Sequence, residues 1–418
     1  MKFDPTSIDP GATAWVLVSA ALVLLMTPAL ALFYGGLVRA KHVLAMMMQC
    51  FLAMGLVGIT WVLVSYSLAF GEGNGFHGGF DFVGLARMDE VVPGFTGDDA
   101  MTIPPLAFVS FQLMFAIITA ALITGATADR WRLASFIPFI VLWTILVYGP
   151  VAHWVFSPFG WAENLAIGGH RGALDFAGGT VVHANAGAAG LAMALVLGRR
   201  RISPGDDVRP HNMPFVLLGT ALLWFGWLGF NAGSALRPDG IATYAFINTT
   251  IAAGSAMLVW ALIERIKLGN TTTLGAASGI VAGLVAITPC AGYVTPVGSI
   301  AVGALAAVGC GLAVLNRSRR WDDALDVVGL HLVGGVIGSL AVGLFASSEV
   351  NPGGTDGLFY GGGFAQLLLQ TITILAVVGY SFVVTYVLGR LVGRGRVLPS
   401  DEELGLDLSQ HGEEAYRL

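Results

Sequence analysis

The chain has 418 residues, of which 56% are hydrophobic and only 11% charged, with a mean hydropathy of +0.77 and a net charge of −5. So few charges could not cover the surface of a soluble protein of this length, and no basic patch suggests nucleic acid. Long apolar stretches recur from end to end, so the composition predicts an all-α polytopic membrane protein.

Residues 1–12 read as an extracytoplasmic N-terminus and a poor signal peptide. Lys2 is offset by Asp4 and Asp9, two prolines interrupt the segment, and the apolar run that follows exceeds a signal h-region. An Ala-Leu-Ala at 29–31 resembles a cleavage site and is taken as part of the first span. Eleven spans are expected, at 13–37, 43–71, 103–127, 133–156, 173–198, 212–236, 241–264, 272–293, 297–315, 326–347 and 363–391. Together they define a membrane domain over 13–391, followed by a cytoplasmic tail over 392–418. The loops are short, apart from 72–102 and the tail, and leave no room for a soluble catalytic domain.

An odd number of spans puts the termini on opposite sides, and basic residues decide which is which. Arg39, Lys41, Arg130, Arg132, Arg199, Arg200, Arg201, Arg209, Arg265, Lys267, Arg317, Arg319, Arg320, Arg390, Arg394, Arg396 and Arg417 fall on one side, 17 of the 21 Lys and Arg. Lys2, Arg87, Arg171 and Arg237 fall on the other. The positive-inside rule therefore predicts the N-terminus outside and the C-terminus inside. Cys50, Cys290 and Cys310 lie in apolar segments without metal-ligand spacing and read as packing residues. Gly275, Gly279 and Gly283 mark a small-residue face suited to close helix contact in lipid.

Span 5 carries His183 followed by Gly187 and Gly190; span 10 carries His331 followed by Gly335 and Gly338. Both read H-x3-G-x2-G. A match five spans apart implies halves of opposite topology, spans 1–5 and 6–10 with span 11 added, as in transporters built from inverted repeats. His183 lies about ten residues into its span, roughly 15 Å at helical rise, near the bilayer centre. Buried histidines can be merely hydrogen-bonded in a bundle, but inside a membrane ionisable groups are costly and mark pathways. His153, near the end of span 4, reads as interfacial or structural.

A buried imidazole in an apolar tube is expected to be neutral, with one donor and one acceptor nitrogen. Two such rings suit a small hydrogen-bonding solute or a proton relay. They suit a metal poorly, because no cysteine or carboxylate completes a ligand set, so no metal or cofactor is expected. Phe111 and Phe115 share a face of span 3, and Trp227, Phe230 and Ser234 lie close together in span 6. Aromatic rings can hold a cation or plug a pore, and equally can be core packing.

These segments resemble the ammonium transporter family (Amt/Mep/Rh) in its Amt/Mep branch. The resemblance rests on DFAGGTVVHANAGAAGLAMALVLGRR (175–200), ALFYGGLVRAKHVL (31–44), FQLMFAIITAALITGATADR (111–130), GWLGFNAGSA (226–235), GLVAITPCAGYV (283–294) and DVVGLHLVGGVIGSLAVGLFA (326–346). It implies a homotrimer of eleven-helix protomers in the cytoplasmic membrane, each with its own hydrophobic pore for ammonium or ammonia, with methylammonium as an analogue to test. It implies that His183 and His331 are the twin pore histidines, that Phe115 and Phe230 form the outer gate, and that Trp227 lines the pore. Phe111 and Ser234 correspond to an outer ammonium site.

One departure stands out. The family usually has a tryptophan where AHWVFSPFGW (152–161) places Phe156, so Trp154 or Trp161 are candidate substitutes in that site. Asp175 reads both as a helix N-cap and as an organiser of the outer vestibule. The tail EELGLDLSQHGEEAYRL (402–418) is a disordered acidic segment by composition. By resemblance it is a regulatory element that works with a PII-type protein. The expected function is ammonium transport by deprotonation at the outer vestibule and passage along the histidines. The alternative is an ammonium sensor with little flux. An enzyme is disfavoured, since no nucleophile or metal constellation occurs.

Overall fold

In the computed structural model the described residues are 2–92, 101–202, 209–316, 321–393 and 395–416. Arg317, Arg319, Arg320, Arg394 and Arg417, used in the charge count above, lie outside them. Among the described residues, ten helices are long and apolar enough to cross a membrane. We number them with one shorter helix in chain order: α1 Pro10–Leu37, α2 Ala40–Phe70, α3 Pro105–Ala126, α4 Leu133–Asn164, α5 Gly179–Leu197, α6 Met213–Gly233, α7 Gly240–Leu268, α8 Thr273–Ile287, α9 Pro296–Leu315, α10 Val328–Phe345 and α11 Ala365–Gly393.

Helix starts follow from local chemistry. Proline occupies the first turn of α1, α3 and α9, where its missing N–H costs nothing. Asp9, Asn212, Asp239, Thr272 and Thr295 each accept an N–H from the first turn of the helix that follows. The apolar segment expected over 272–293 is helical for only the 15 residues Thr273–Ile287. Pro289 lacks the amide that would extend the ladder, and the chain runs on as turns to Tyr293.

Lipid supplies no hydrophobic drive between helices, so close packing by small residues does that work. The face carrying Gly279 and Gly283 lies against α7: a Cβ on either would sit 3.0 Å from the Ala256 carbonyl or 2.5 Å from that of Ala252. The third glycine of the face, Gly275, meets the Glu264 carboxylate instead. α1 runs along α6 in the same manner, with Gly219 against the Ala29 carbonyl. All three cysteines are buried and free.

The basic loops converge on one face. Arg39 and Arg200 both pair with Asp129, and Arg200 makes a two-pronged bridge to Asp322 at 2.8 and 2.9 Å. Burial opposes ionisation of Asp322, but the Arg200 hydrogen bond and charge outweigh it and hold the carboxyl down to about 2. Arg130 is buried and donates to the carbonyls of Ala126, Ala128, Gly198 and Asp322, tying the ends of α3 and α5 to the start of α10.

The tail is not a loose acidic strand. It forms a short helix, α12 (Pro399–Leu404), and a wide turn at Asp407–His411, both laid on this basic face. His42, at the N-cap of the α-helical part of α2 that starts at Val43, and Arg132, which precedes α4, provide no side-chain cap. The tail provides both: the Asp407 carboxylate accepts the Ala45 N–H at 2.8 Å, and the Gln410 side-chain Oε1 accepts that of Leu133 at 2.7 Å. Buried Glu402 accepts from Arg396 and from the Arg201 amide, and the Leu406 N–H donates to His42. Composition missed this because the attraction lies in the receiving surface of arginines and uncapped helix starts.

Candidate functional site

Both histidines sit in wide, π-type turns that open their helices, Gly179–Ala184 in α5 and Val328–Leu332 in α10. Each turn is capped by an aspartate eight residues before its histidine. Asp175 accepts four backbone N–H groups, from Gly178, Gly179, Thr180 and Val181, at 2.7–3.1 Å. Asp323 accepts those of Val327 and Val328 at 3.0 and 2.7 Å. Burial pushes the Asp323 carboxyl up to about 7, with the neighbouring Asp326 charge adding to the rise and the amide donors opposing it. The shared pattern is D-x7-H-x3-G-x2-G. Its histidine and glycine part is legible in the sequence; reading eight residues further upstream would have shown Asp323 as the counterpart of Asp175.

The glycines explain how the rings meet. A Cβ on Gly187 would lie 2.6 Å from the Cα of Leu332, next to His331. A Cβ on Gly335 would lie 2.8 Å from the N of Ala184, next to His183. Each helix thus brings a bare backbone against its partner's wide turn. Nδ1 of His183 and Nδ1 of His331 are 3.3 Å apart, with both rings buried. In such a contact one Nδ1 carries the proton and the other accepts it, so the two rings hold opposite tautomers. Nε2 of His183 is buried and has no partner among the described residues.

The histidines end a column of rings. Phe111 meets Phe115 edge-on at 4.8 Å between centroids, and Phe115 meets Phe230 at 4.4 Å. Phe230 lies 5.9 Å from His183, which stacks on Trp227 at 5.1 Å and on His331 at 5.4 Å. The Trp227 indole N–H donates to Thr288 at 2.8 Å, which leaves its ring face toward His183. The column is apolar and tightly closed at the two phenylalanines.

A cavity of about 320 Å³ lies beyond Phe115, lined by Phe111, Phe156, Glu163, Asp175, Ser234 and Tyr293 among others. Phe111, Phe156, Asp175 and Ser234 are therefore gathered in one cup. Trp154 and Trp161 are not in its lining, which corrects the expectation that either replaces a tryptophan at 156. Trp154 turns away to donate to the Phe76 carbonyl and packs on Trp161 and Tyr380. Ser234 donates to the Phe230 carbonyl, which leaves its oxygen lone pairs facing the cup. His153 is structural, held between the carbonyls of Ala69 and Asn74. A second cavity of about 430 Å³ opens at the opposite helix ends, lined by Phe33, Trp260, Glu264, Ser278, Asp326 and Leu330. Sequence reasoning did not find Glu163, Tyr293 or Thr288; none lies in a repeated motif, and only folding brings them to the column. Among the described residues no three His, Cys, Asp or Glu side chains converge in a metal-like group.

The profile of the Ammonium Transporter Family matches residues 14–416. An ammonium transporter of Mycobacterium tuberculosis is 50% identical over 98% of this chain and 90% of its own length. Among solved structures, Candida albicans Mep2 superposes with a TM-score of 0.85 at 36% identity, covering 98% of this chain and 91% of that one. A structure titled Sensor Amt Protein superposes with a TM-score of 0.84 at 28% identity, covering 96% and 98%. With a profile match over nearly its whole length and a relative at half identity, this multi-pass protein of the cytoplasmic membrane belongs to the ammonium transporter family.

Proposed function

We propose that the chain moves ammonium nitrogen into the cell along the ring column. The observation that carries this reading is the buried His183–His331 contact at the end of an apolar column, with a cavity at either side. Ammonium is drawn into the outer cup at Phe111, Phe156, Ser234 and Asp175 and loses most of its water there. Its N–H bond breaks at the Phe115–Phe230 gate. Neutral ammonia then passes Trp227 and the two imidazoles, and the proton follows through the histidine pair. A potassium or sodium ion has no proton to give up and would have to cross the column bare, at full dehydration cost.

In this reading α8 crosses with the ten longer helices, giving eleven spans with the N-terminus outside and the C-terminus inside. The halves α1–α5 and α6–α10 are inverted repeats, which the opposed entry of α5 and α10 and their matched Asp-His-Gly-Gly pattern support. The protomer assembles as a homotrimer with one pore each. Residues 13–391 form the transport domain and 392–418 the regulatory tail. The caps supplied by Asp407 and Gln410 support that role, because a PII-type partner that lifted the tail would uncap α2 and α4.

The structurally similar Sensor Amt Protein gives a second reading, in which the same cup binds ammonium and the tail reports it with little flux. Purified protein in proteoliposomes, pulsed with ammonium chloride on a solid-supported membrane, separates the two. Transport gives sustained inward current; a sensor gives only a brief binding transient.

A further inference from the structure

The second cavity, at the far end of the column from Phe115 and Phe230, is lined by Glu264, a buried carboxylate on α7. Glu264 accepts the Thr272 N–H at 2.8 Å, and the Thr272 hydroxyl lies between its two oxygens at 3.1 and 3.2 Å. Among the described residues it forms no ion pair, and these bonds to Thr272 are its whole set of partners. Nor does α8 need it as a cap, because the Thr272 oxygen already accepts the Gly275 N–H at 2.8 Å. A carboxylate taken out of water without a positive partner is costly, and a cation entering the cavity relieves that cost.

The rest of the cavity suits a small ammonium-type cation. Trp260 lies one turn before Glu264 on α7 and lines the same cavity, and an indole is the strongest ring partner for a cation. Ser278 also lines it and bonds to no described residue, so its hydroxyl is available to an N–H donor. The glycine face of α8 leaves the space: a Cβ on Gly275 would collide with the Glu264 carboxylate, and one on Gly279 would lie 2.9 Å from the Trp260 Cβ. Leu330, which precedes His331, is part of the lining, so the cavity adjoins the end of the column. We infer that this cavity is a second cation site, in which Glu264, Trp260 and Ser278 hold ammonium at the exit; this rests on the column being the ammonia path. Ammonia leaving His331 takes on its lone pair the proton passed along the histidines, and the ammonium so formed is the missing counter-charge of Glu264.

The test uses crystals of the full-length protein soaked in thallium(I) nitrate, a monovalent cation that stands in for ammonium and is located by its anomalous scattering. Wild type shows a thallium peak beside the Glu264 carboxylate, and excess ammonium nitrate displaces it. Glu264→Gln keeps an acceptor for the Thr272 N–H and removes the charge; it raises the thallium concentration for half occupancy by about tenfold. Trp260→Leu leaves the carboxylate and its Thr272 bonds in place and raises that concentration by about threefold. An empty wild-type cavity overturns the inference. So does a peak that persists unchanged in Glu264→Gln, or one that ammonium does not displace. If Glu264→Gln fails to fold, the wild-type soak, the ammonium displacement and Trp260→Leu still decide. Ammonium-evoked current from the same wild-type preparation in proteoliposomes tests the underlying reading separately. A normal current with an empty cavity refutes this inference alone; no current removes the transport reading, and the exit role with it.

Discussion

Replacing Gly187 by alanine tests the crossing that brings the histidines together. The added methyl would lie 2.6 Å from the Leu332 Cα. Carbon atoms rest at about 3.5–4.0 Å, so α5 and α10 must part by roughly 1 Å at this level. The 3.3 Å His183–His331 contact sits beside the strained point, and an opening of that size takes it beyond hydrogen-bond length. Overpacking of a tight core costs about 1–3 kcal/mol, so the thermal midpoint in detergent falls as well. Gly55→Ala, where a Cβ meets nothing within 4 Å, is the control and leaves both readouts unchanged. The assay is the ammonium-evoked current in proteoliposomes beside a melting curve of the same preparation. A Gly187→Ala protein with wild-type current and wild-type melting would refute the reasoning, because the crossing would then not require bare backbone.

The tail makes a separate prediction. Asp407→Ala removes the cap from α2 and destabilises the protein by about 1 kcal/mol, read as a lower melting temperature, while the histidine contact is untouched. Limited proteolysis should then cleave after residue 396 earlier than in wild type. The Arg200–Asp322 bridge predicts acid sensitivity. The folded carboxyl is held down to about 2, below the unfolded value of about 4, so its contribution is present above pH 4 and lost as pH falls through about 2. Unfolding monitored between those values should show a stability loss in wild type that Asp322→Asn lacks.

Much of this protein was legible before folding because its signals are local. Composition gave the membrane class, and hydropathy gave ten helices with most ends within about four residues, although α4 runs on to Asn164 past the expected 156 and α5 starts at Gly179 rather than 173. The exception, α8, stops at Ile287 because Pro289 interrupts a run whose apolar character continues to Tyr293. The histidine pair was legible through its repeated glycines, since glycine spacing records where a second backbone approaches. What escaped were contacts whose partner lies far along the chain. Thr288 orients Trp227 from the turn just past α8, Glu163 reaches the cup from the four residues Trp161–Asn164, and Asp407 caps a helix that begins some 360 positions earlier. Trp154 was a reasonable substitute by position, but its indole N–H is claimed by the Phe76 carbonyl.

The most direct test of the central claim is the ammonium-evoked current of His183→Leu against wild type in proteoliposomes of matched protein content. Leucine fills the site and leaves Phe115 and Phe230 in place, but it can neither hold nor pass a proton. The account predicts a wild-type current that is abolished in the variant while the protein stays folded. A His183→Leu current equal to wild type would contradict it, because the proton would then cross without the histidine pair.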